Sequence, residues 1–217
     1  MNPSLKLFFV LIVAIEVTFT SHLYSNLVII ALALANLLYH HISWRRLSWL
    51  VVITLVPAVA VFVTIAFFSP NRNIHFAWVL VTRLYVYVMT GATISCTTSA
   101  LQLVRSLEQN CHLPSKFAYG ILAALNLLPR IRQEVRIIRI AGQMRGVTLH
   151  WWSPRLYFKA ILAASQWADQ LAQAMESHGF VEGQGRTSAH RIPLTSRDWL
   201  TFTGLVVILQ VLIIALP

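Results

Sequence analysis

The sequence predicts an all-α integral membrane protein, with about five transmembrane helices and a cytoplasmic set of amphipathic helices. Three observations carry that prediction. The 217 residues are 57% hydrophobic and only 11% charged, with mean hydropathy +0.67; an average soluble domain is about 25% charged. The apolar residues fall into long runs separated by short polar turns. The charge is one-sided, a formal +10, and residues 101–197 hold 12 of the 17 Lys and Arg against 5 of the 7 acids. This composition excludes intrinsic disorder. Two cysteines, Cys96 and Cys111, exclude a disulfide scaffold.

The elements follow in order. The run Leu5 to Thr20, flanked by Lys6, has the basic start and apolar core of a signal peptide. No small-x-small cleavage site follows, and the next run, Leu27 to Tyr39, begins at once, so a membrane hairpin is the better reading. Both are shorter than the ~20 residues that cross a bilayer, and tilt or local thinning must supply the difference. Leu47 to Phe68 is a clear span with Pro57 inside it. Ser69-Pro70-Asn71-Arg72-Asn73 reads as a turn. Phe76 to Val104 reads as a second long span, interrupted by Arg83 and the small, polar stretch Thr90 to Ser95, which suits close helix–helix approach. The last span is Trp199 to Leu216. The positive-inside rule then places the basic insert, Arg45-Arg46 and the N-terminus with Lys6 on the cytoplasmic side. Only Arg72 falls outside. Trp44, Trp49, Trp78 and Trp199 near the span ends suit interfacial anchoring. The expected division is a four-span region at 1–104, a cytoplasmic helical module at 105–197 and a C-terminal transmembrane helix at 198–217.

The insert lacks low-complexity sequence until Gly183-Gln184-Gly185 and reads as three helices. The first runs from about Lys116 to Leu127. Pro129 marks a kink or a new start, and a second, Arg-rich helix runs from Arg130 to Gln143. On the third, Pro154 to Ser177, the residues Leu156, Ala160, Ala163, Trp167, Leu171 and Ala174 recur at helical spacing. Two helix ends resemble each other: Met144-Arg145-Gly146-Val147 and Ser177-His178-Gly179-Phe180. In each a basic residue precedes Gly and then an apolar residue. Gly just past a helix end is a C-cap, and a cation in the last turn is stabilised by the carbonyl end of the macrodipole.

At these residues the chain resembles the transmembrane component of energy-coupling factor transporters, the EcfT/CbiQ family. The likeness is best from Leu107 to Phe180, through Leu113-Pro114-Ser115-Lys116, Leu128-Pro129-Arg130-Ile131, Met144-Arg145-Gly146 and Ala174 to Phe180, with Asp198 before the last span. The resemblance implies two coupling helices whose Ala-Arg-Gly-like ends dock into grooves on a pair of ABC-type ATPases. Met144, Arg145 and Gly146 fill the first motif, and Ser177, His178 and Gly179 the second, with His where the family usually has Arg. Arginine offers five donors in a rigid fork; histidine offers fewer and docks neutral or charged. The implied function is coupling: ATPase motion is passed to a separate small substrate-binding membrane subunit, for vitamin uptake, such as a thiamine precursor, ahead of metal-ion uptake. The implied location is the bacterial cell membrane. The implied protein is no enzyme, holds no cofactor of its own and leaves ATP to its partners.

Other residues carry less. Arg83 in a span either snorkels to the interface or pairs with Glu16, and Glu16 otherwise lines the interface with the substrate-binding subunit or snorkels itself. His22, His40, His41, His75, His112, His150 and His190 lack ligand spacing, so no metal site is expected. Cys96 and Cys111 are not expected to pair. Arg132, Arg136 and Arg139 form a solvated face or hold lipid headgroups. No GxxxxGK[ST] loop, Ser-His-Asp or HExxH arrangement is present. The basic insert between apolar runs fits a membrane surface and protein partners, not nucleic acid. A lipid-directed membrane enzyme and a membrane-anchored adaptor are the alternatives; the carboxylates Glu108, Glu134, Asp169, Glu176 and Glu182 show no paired pattern for the first.

Overall fold

The computed structural model describes residues 1–40, 42–68, 73–150, 152–181, 184 and 191–215. The Ser69 to Arg72 part of the expected turn, His41, Glu182, Gly183, Gly185, His190 and Leu216 lie outside the described residues. The described residues form helices joined by short connections: α1 (Pro3–Phe19), α2 (Leu23–Tyr39), α3 (Trp44–Phe68), α4 (Ile74–Thr97), α5 (Ala100–Asn110), α6 (Ser115–Met144), α7 (Pro154–Ser177) and α8 (Ser196–Ala215). The fold is all-α, as the composition predicts. The chain divides into two compact units, Met1–Ser106 with Ile192–Pro217, and Leu107–Arg191.

In the first unit, α3, α4 and α8 are long and apolar enough to cross a membrane. With 17 residues each, α1 and α2 reach only about 26 Å, a little short of a ~30 Å hydrocarbon layer. Helix α4 packs against α2 and α3 and more lightly against α1; α8 rests on α1. One apolar cluster joins Val13, Val17, Ile29, Val86 and Leu209. A second joins Ala33, Leu37, Leu47, Met89 and Ala92. Elsewhere α3 is open, with Val56 72% and Phe67 67% exposed. Such surface is stable only against lipid or another protein.

Two buried asparagines of this unit are bonded across helices. The Asn26 amide of α2 donates to the Thr82 hydroxyl of α4 at 3.2 Å and to the Val79 carbonyl at 3.4 Å. The Asn2 carboxamide oxygen caps α1 by accepting from the Ser4 amide at 3.2 Å, and it also accepts from the Ser106 hydroxyl of α5. Its nitrogen reaches the carbonyls of Ile192 and Pro193, each at 3.4 Å. One buried asparagine thus ties three stretches of chain that lie far apart in sequence. In low dielectric a satisfied network of this kind specifies the packing.

Three expectations change. The expected span 76–104 is broken after Thr97. Thr98 is extended, and Ser99 and Gln102 form a reciprocal capping box, Gln102 amide to Ser99 hydroxyl at 3.3 Å and Ser99 amide to Gln102 at 3.4 Å, that starts α5. Pro129 neither ends nor restarts a helix: α6 runs through it for 30 residues. Arg83 does not pair with Glu16. Its guanidinium donates to the Thr20 carbonyl at 2.6 Å, closing the C-terminus of α1 where a cation meets unpaired carbonyls. Glu16 accepts from the Gln210 amide of α8 instead.

Candidate functional site

The second unit is built on α6 and α7, which pack against each other. Three contacts fix their direction. The Arg130 guanidinium lies 4.8 Å above the Trp167 ring, near the middle of both helices. Tyr119 near the start of α6 meets Phe180 beyond the end of α7, edge to face at 5.9 Å. At the other end Gly142 packs on Leu149 of the connection. These fix an antiparallel hairpin. Trp167 belongs to the helical stripe the sequence shows, and its partner is the arginine that follows Pro129. That contact offsets part of the cost of the backbone hydrogen bond that proline removes.

Each helix of the hairpin ends in the same way. At the first tip the Arg145 cap residue has φ −94°, ψ 10°. Gly146 is left-handed at φ 74°. The Gly146 amide donates to the Gln143 carbonyl at 3.0 Å and the Val147 amide to the Gly142 carbonyl at 2.9 Å. At the second tip His178 has φ −85°, ψ 11°, and Gly179 has φ 80°. The Gly179 amide donates to the Glu176 carbonyl at 2.9 Å and the Phe180 amide to the Met175 carbonyl at 2.9 Å. Both are Schellman motifs with glycine at the left-handed position. The glycines are required there, because a Cβ in that conformation costs ~1–2 kcal/mol.

The motif turns the chain sharply and leaves the cap residue at the extremity. Met144 is 85% exposed, and Arg145, Gly146, Ser177, His178 and Gly179 are all exposed. The Ser177 hydroxyl bonds back to the Ala174 carbonyl at 2.9 Å, which tightens the last turn. The tips stand at opposite ends of the hairpin, separated by the 24 residues of α7, about 36 Å of helix. Arg145 offers a fork of charged donors and His178 an imidazole, each held on a rigid rod and each open to a partner.

The two tips are braced differently, and the pattern of motifs did not disclose how. A Cβ on Gly142 would lie 2.9 Å from Leu149 Cδ1 and 3.0 Å from the Val147 carbonyl oxygen, so the connection after the first tip folds directly onto the bare helix. Leu149 is 7% exposed. The second tip uses Tyr119 and Phe180 instead. The signal for the first brace was a glycine inside a helical run, three residues before the cap. The second had none, because Tyr119 and Phe180 are 61 positions apart. Among the described residues no group of three His, Cys, Asp or Glu converges to hold a metal ion. Cys96 and Cys111 are free thiols.

An all-helical membrane protein with an exposed, two-tipped helical hairpin is the class that the fold and these tips define. The chain belongs to the CbiQ family, described as cobalt transport protein, whose profile matches residues 1–189. It is similar to the energy-coupling factor transporter transmembrane protein EcfT of Exiguobacterium sibiricum, 27% identical over 157 residues, 65% of this chain and 58% of that one. The EcfT protein of Bacillus subtilis is 25% identical over 164 residues, 68% of this chain and 62% of that one. That of Limosilactobacillus fermentum is 26% identical over 153 residues, 64% and 57%. The match thus spans about three fifths of the length of these relatives.

Proposed function

We propose that this chain is the membrane-embedded coupling subunit of an energy-coupling-factor-type importer. Two ABC-type ATPases grip the tips at Met144-Arg145-Gly146 and Ser177-His178-Gly179. Their closing and opening moves the α6–α7 hairpin, and the hairpin acts on a separate small membrane subunit that holds the cargo. The chain hydrolyses nothing and holds no cofactor. The carrying observation is the pair of matching, exposed Schellman tips at the two ends of one rod. A rod with a handle at each end suits a partner that comes in two copies. Two-state coupling needs a rigid element with differential contacts in each state, and packed antiparallel helices provide one.

In this reading α1, α2, α3, α4 and α8 are five spans of a bacterial cell membrane, and the hairpin and N-terminus face the cytoplasm with the ATPases. The cargo is recognised by the other membrane subunit, with a vitamin such as a thiamine precursor expected ahead of a metal ion. The test is co-purification of the full complex with Arg145→Glu. Charge reversal at the tip removes both ATPase association and transport. ATPases retained by this variant at wild-type level remove the docking claim.

A further inference from the structure

The first unit holds a feature that coupling does not use. Between the start of α3 and the end of α4 lies an open groove of about 740 Å³. Water occupies ~30 Å³ per molecule in the liquid, so the groove far exceeds a bridging solvent site. Arg45 and Arg46 line one end; Trp49 forms a wall, and Gly91 and Ser95 form the floor. A Cβ on Gly91 would meet nothing within 4 Å, so the floor is open space. The small residues of this stretch therefore divide. Thr90, at 6% exposure, is buried outside the groove, whereas Gly91, Ala92 and Ser95 line it, Gly91 and Ser95 exposed and Ala92 buried at 7%.

We propose that this groove binds an anionic phospholipid, its headgroup phosphate on Arg45 and Arg46 and an acyl chain lying along Trp49 and over Gly91. The charge argument comes first. The acids of this unit are Glu16 and Asp198. Glu16 accepts from Gln210, and Asp198 accepts from the Thr195 amide at 3.4 Å and lies 3.4 Å from the Met1 amine. Neither pairs with the arginines. Arg46 Nε donates to the Ser43 hydroxyl at 3.0 Å, which orients the guanidinium and leaves its terminal nitrogens for a ligand. Both arginines line the same groove, and a guanidinium bonds a phosphate bidentately.

The shape argument selects the source of the phosphate. The groove runs from the charges down an apolar wall between two helices long enough to span a bilayer. A free phosphate would leave that wall unfilled. A protein helix in the groove would have to bring its own carboxylate to the arginines. A phospholipid supplies both parts at once, an anion at interfacial depth and a chain below it, and basic clefts between membrane helices recognise such headgroups. Trp49, 68% exposed beside the arginines, marks that depth.

The test is native mass spectrometry of the full chain in detergent with phosphatidylglycerol or phosphatidylcholine. Wild type retains phosphatidylglycerol with a preference of roughly tenfold or more. Arg45→Gln with Arg46→Gln removes the preference. Gly91→Leu, which fills open space on a helix and improves helix propensity, removes the retained lipid with both arginines in place. A preference that survives both variants overturns the proposal. So does one that the arginine variant abolishes and Gly91→Leu leaves unchanged, which would be a phosphate site without a chain. A second copy of the chain, or another protein, held on the groove and released by Gly91→Leu also overturns it.

Discussion

The two tips of the hairpin share a backbone and differ in chemistry. Their cap residues lie within about 10° of each other in φ and ψ, and both close with a left-handed glycine and the same pair of hydrogen bonds. The side chain presented is a permanent cation at Arg145 and a histidine at His178, and the braces beneath are a bare glycine in one and an aromatic pair in the other. The fold therefore sets where each tip stands, and on the proposed function the side chain at the cap sets how strongly a partner holds it. In the proposed complex two ATPases meet like backbone geometry and unlike side chains. The largest consequence is that Arg145→Ala weakens ATPase binding by roughly tenfold to a hundredfold, the cost of a charged hydrogen bond of about 1.5–3 kcal/mol. His178→Ala weakens it only a few-fold. Titration of purified ATPase onto the reconstituted membrane subunits measures both, and equal losses would break the asymmetry.

A second contrast lies beneath the tips. Gly142 stands three residues before Arg145; the corresponding residue at the other end is Met175. Gly142→Ala forces a methyl to within 2.9 Å of Leu149 and 3.0 Å of a carbonyl oxygen. The expected cost is about 1–3 kcal/mol, as for other overpacked sites, with ATPase binding lost at the first tip alone. Met175→Ala trims a half-buried side chain and leaves its tip in place. Thermal unfolding in detergent together with binding separates the two; a Gly142→Ala protein as stable as wild type would show that the connection relaxes freely.

Much of this arrangement was legible in the chain. Helix α7 falls where its apolar stripe and flanking Pro154 and Ser177 place it, and both cap glycines stand out because only one residue type enters that conformation freely. The break between α4 and α5 was also written locally, as Ser99 followed three positions on by Gln102, but the apolar residues on either side masked it. Pro129 starts no new helix because a proline's cost is local, while packing that offsets part of it, such as Arg130 on Trp167, is tertiary. Arg83 illustrates the same limit: snorkelling and a Glu16 partner are the two readings its position allows, and the acceptor it meets is the backbone carbonyl of Thr20, which no local pattern names. The Asn2 knot and the groove beside Arg45 join residues far apart in sequence, so no local pattern encodes them.

Glycine substitutions at the caps test whether the two backbones are as equal as their angles. Gly146→Ala and Gly179→Ala each place a Cβ in the left-handed region at a cost of about 1–2 kcal/mol, and neither site has a steric neighbour to add to it. The two variants are expected to lower the melting temperature by the same amount. A difference between them larger than the error of the melt would mean that one tip stores strain the other does not. His178→Arg is the milder, opposite change. It leaves the backbone alone and gives the second tip the donor fork of the first, so ATPase affinity rises a few-fold with no change in melting temperature. Unchanged affinity would mean that imidazole already satisfies that groove.

The smallest effect comes from a site that both tips share. Trp167 lies near the middle of the rod, with Arg130 4.8 Å above its ring. Trp167→Leu keeps an apolar residue on the stripe and removes the cation–π contact, worth ~0.5–1 kcal/mol at a partly exposed site. Neither tip is touched, so ATPase binding at each end stays at the wild-type level. What changes is the stiffness between the ends, because Pro129 already lacks one backbone hydrogen bond and leans on this contact. The expected result is a two- to fivefold drop in cargo uptake per ATP hydrolysed in proteoliposomes, with assembly intact. Uptake per ATP equal to wild type would show that the rod needs no brace at its centre. Loss of binding at one tip alone would show that the ends are not mechanically independent of the middle.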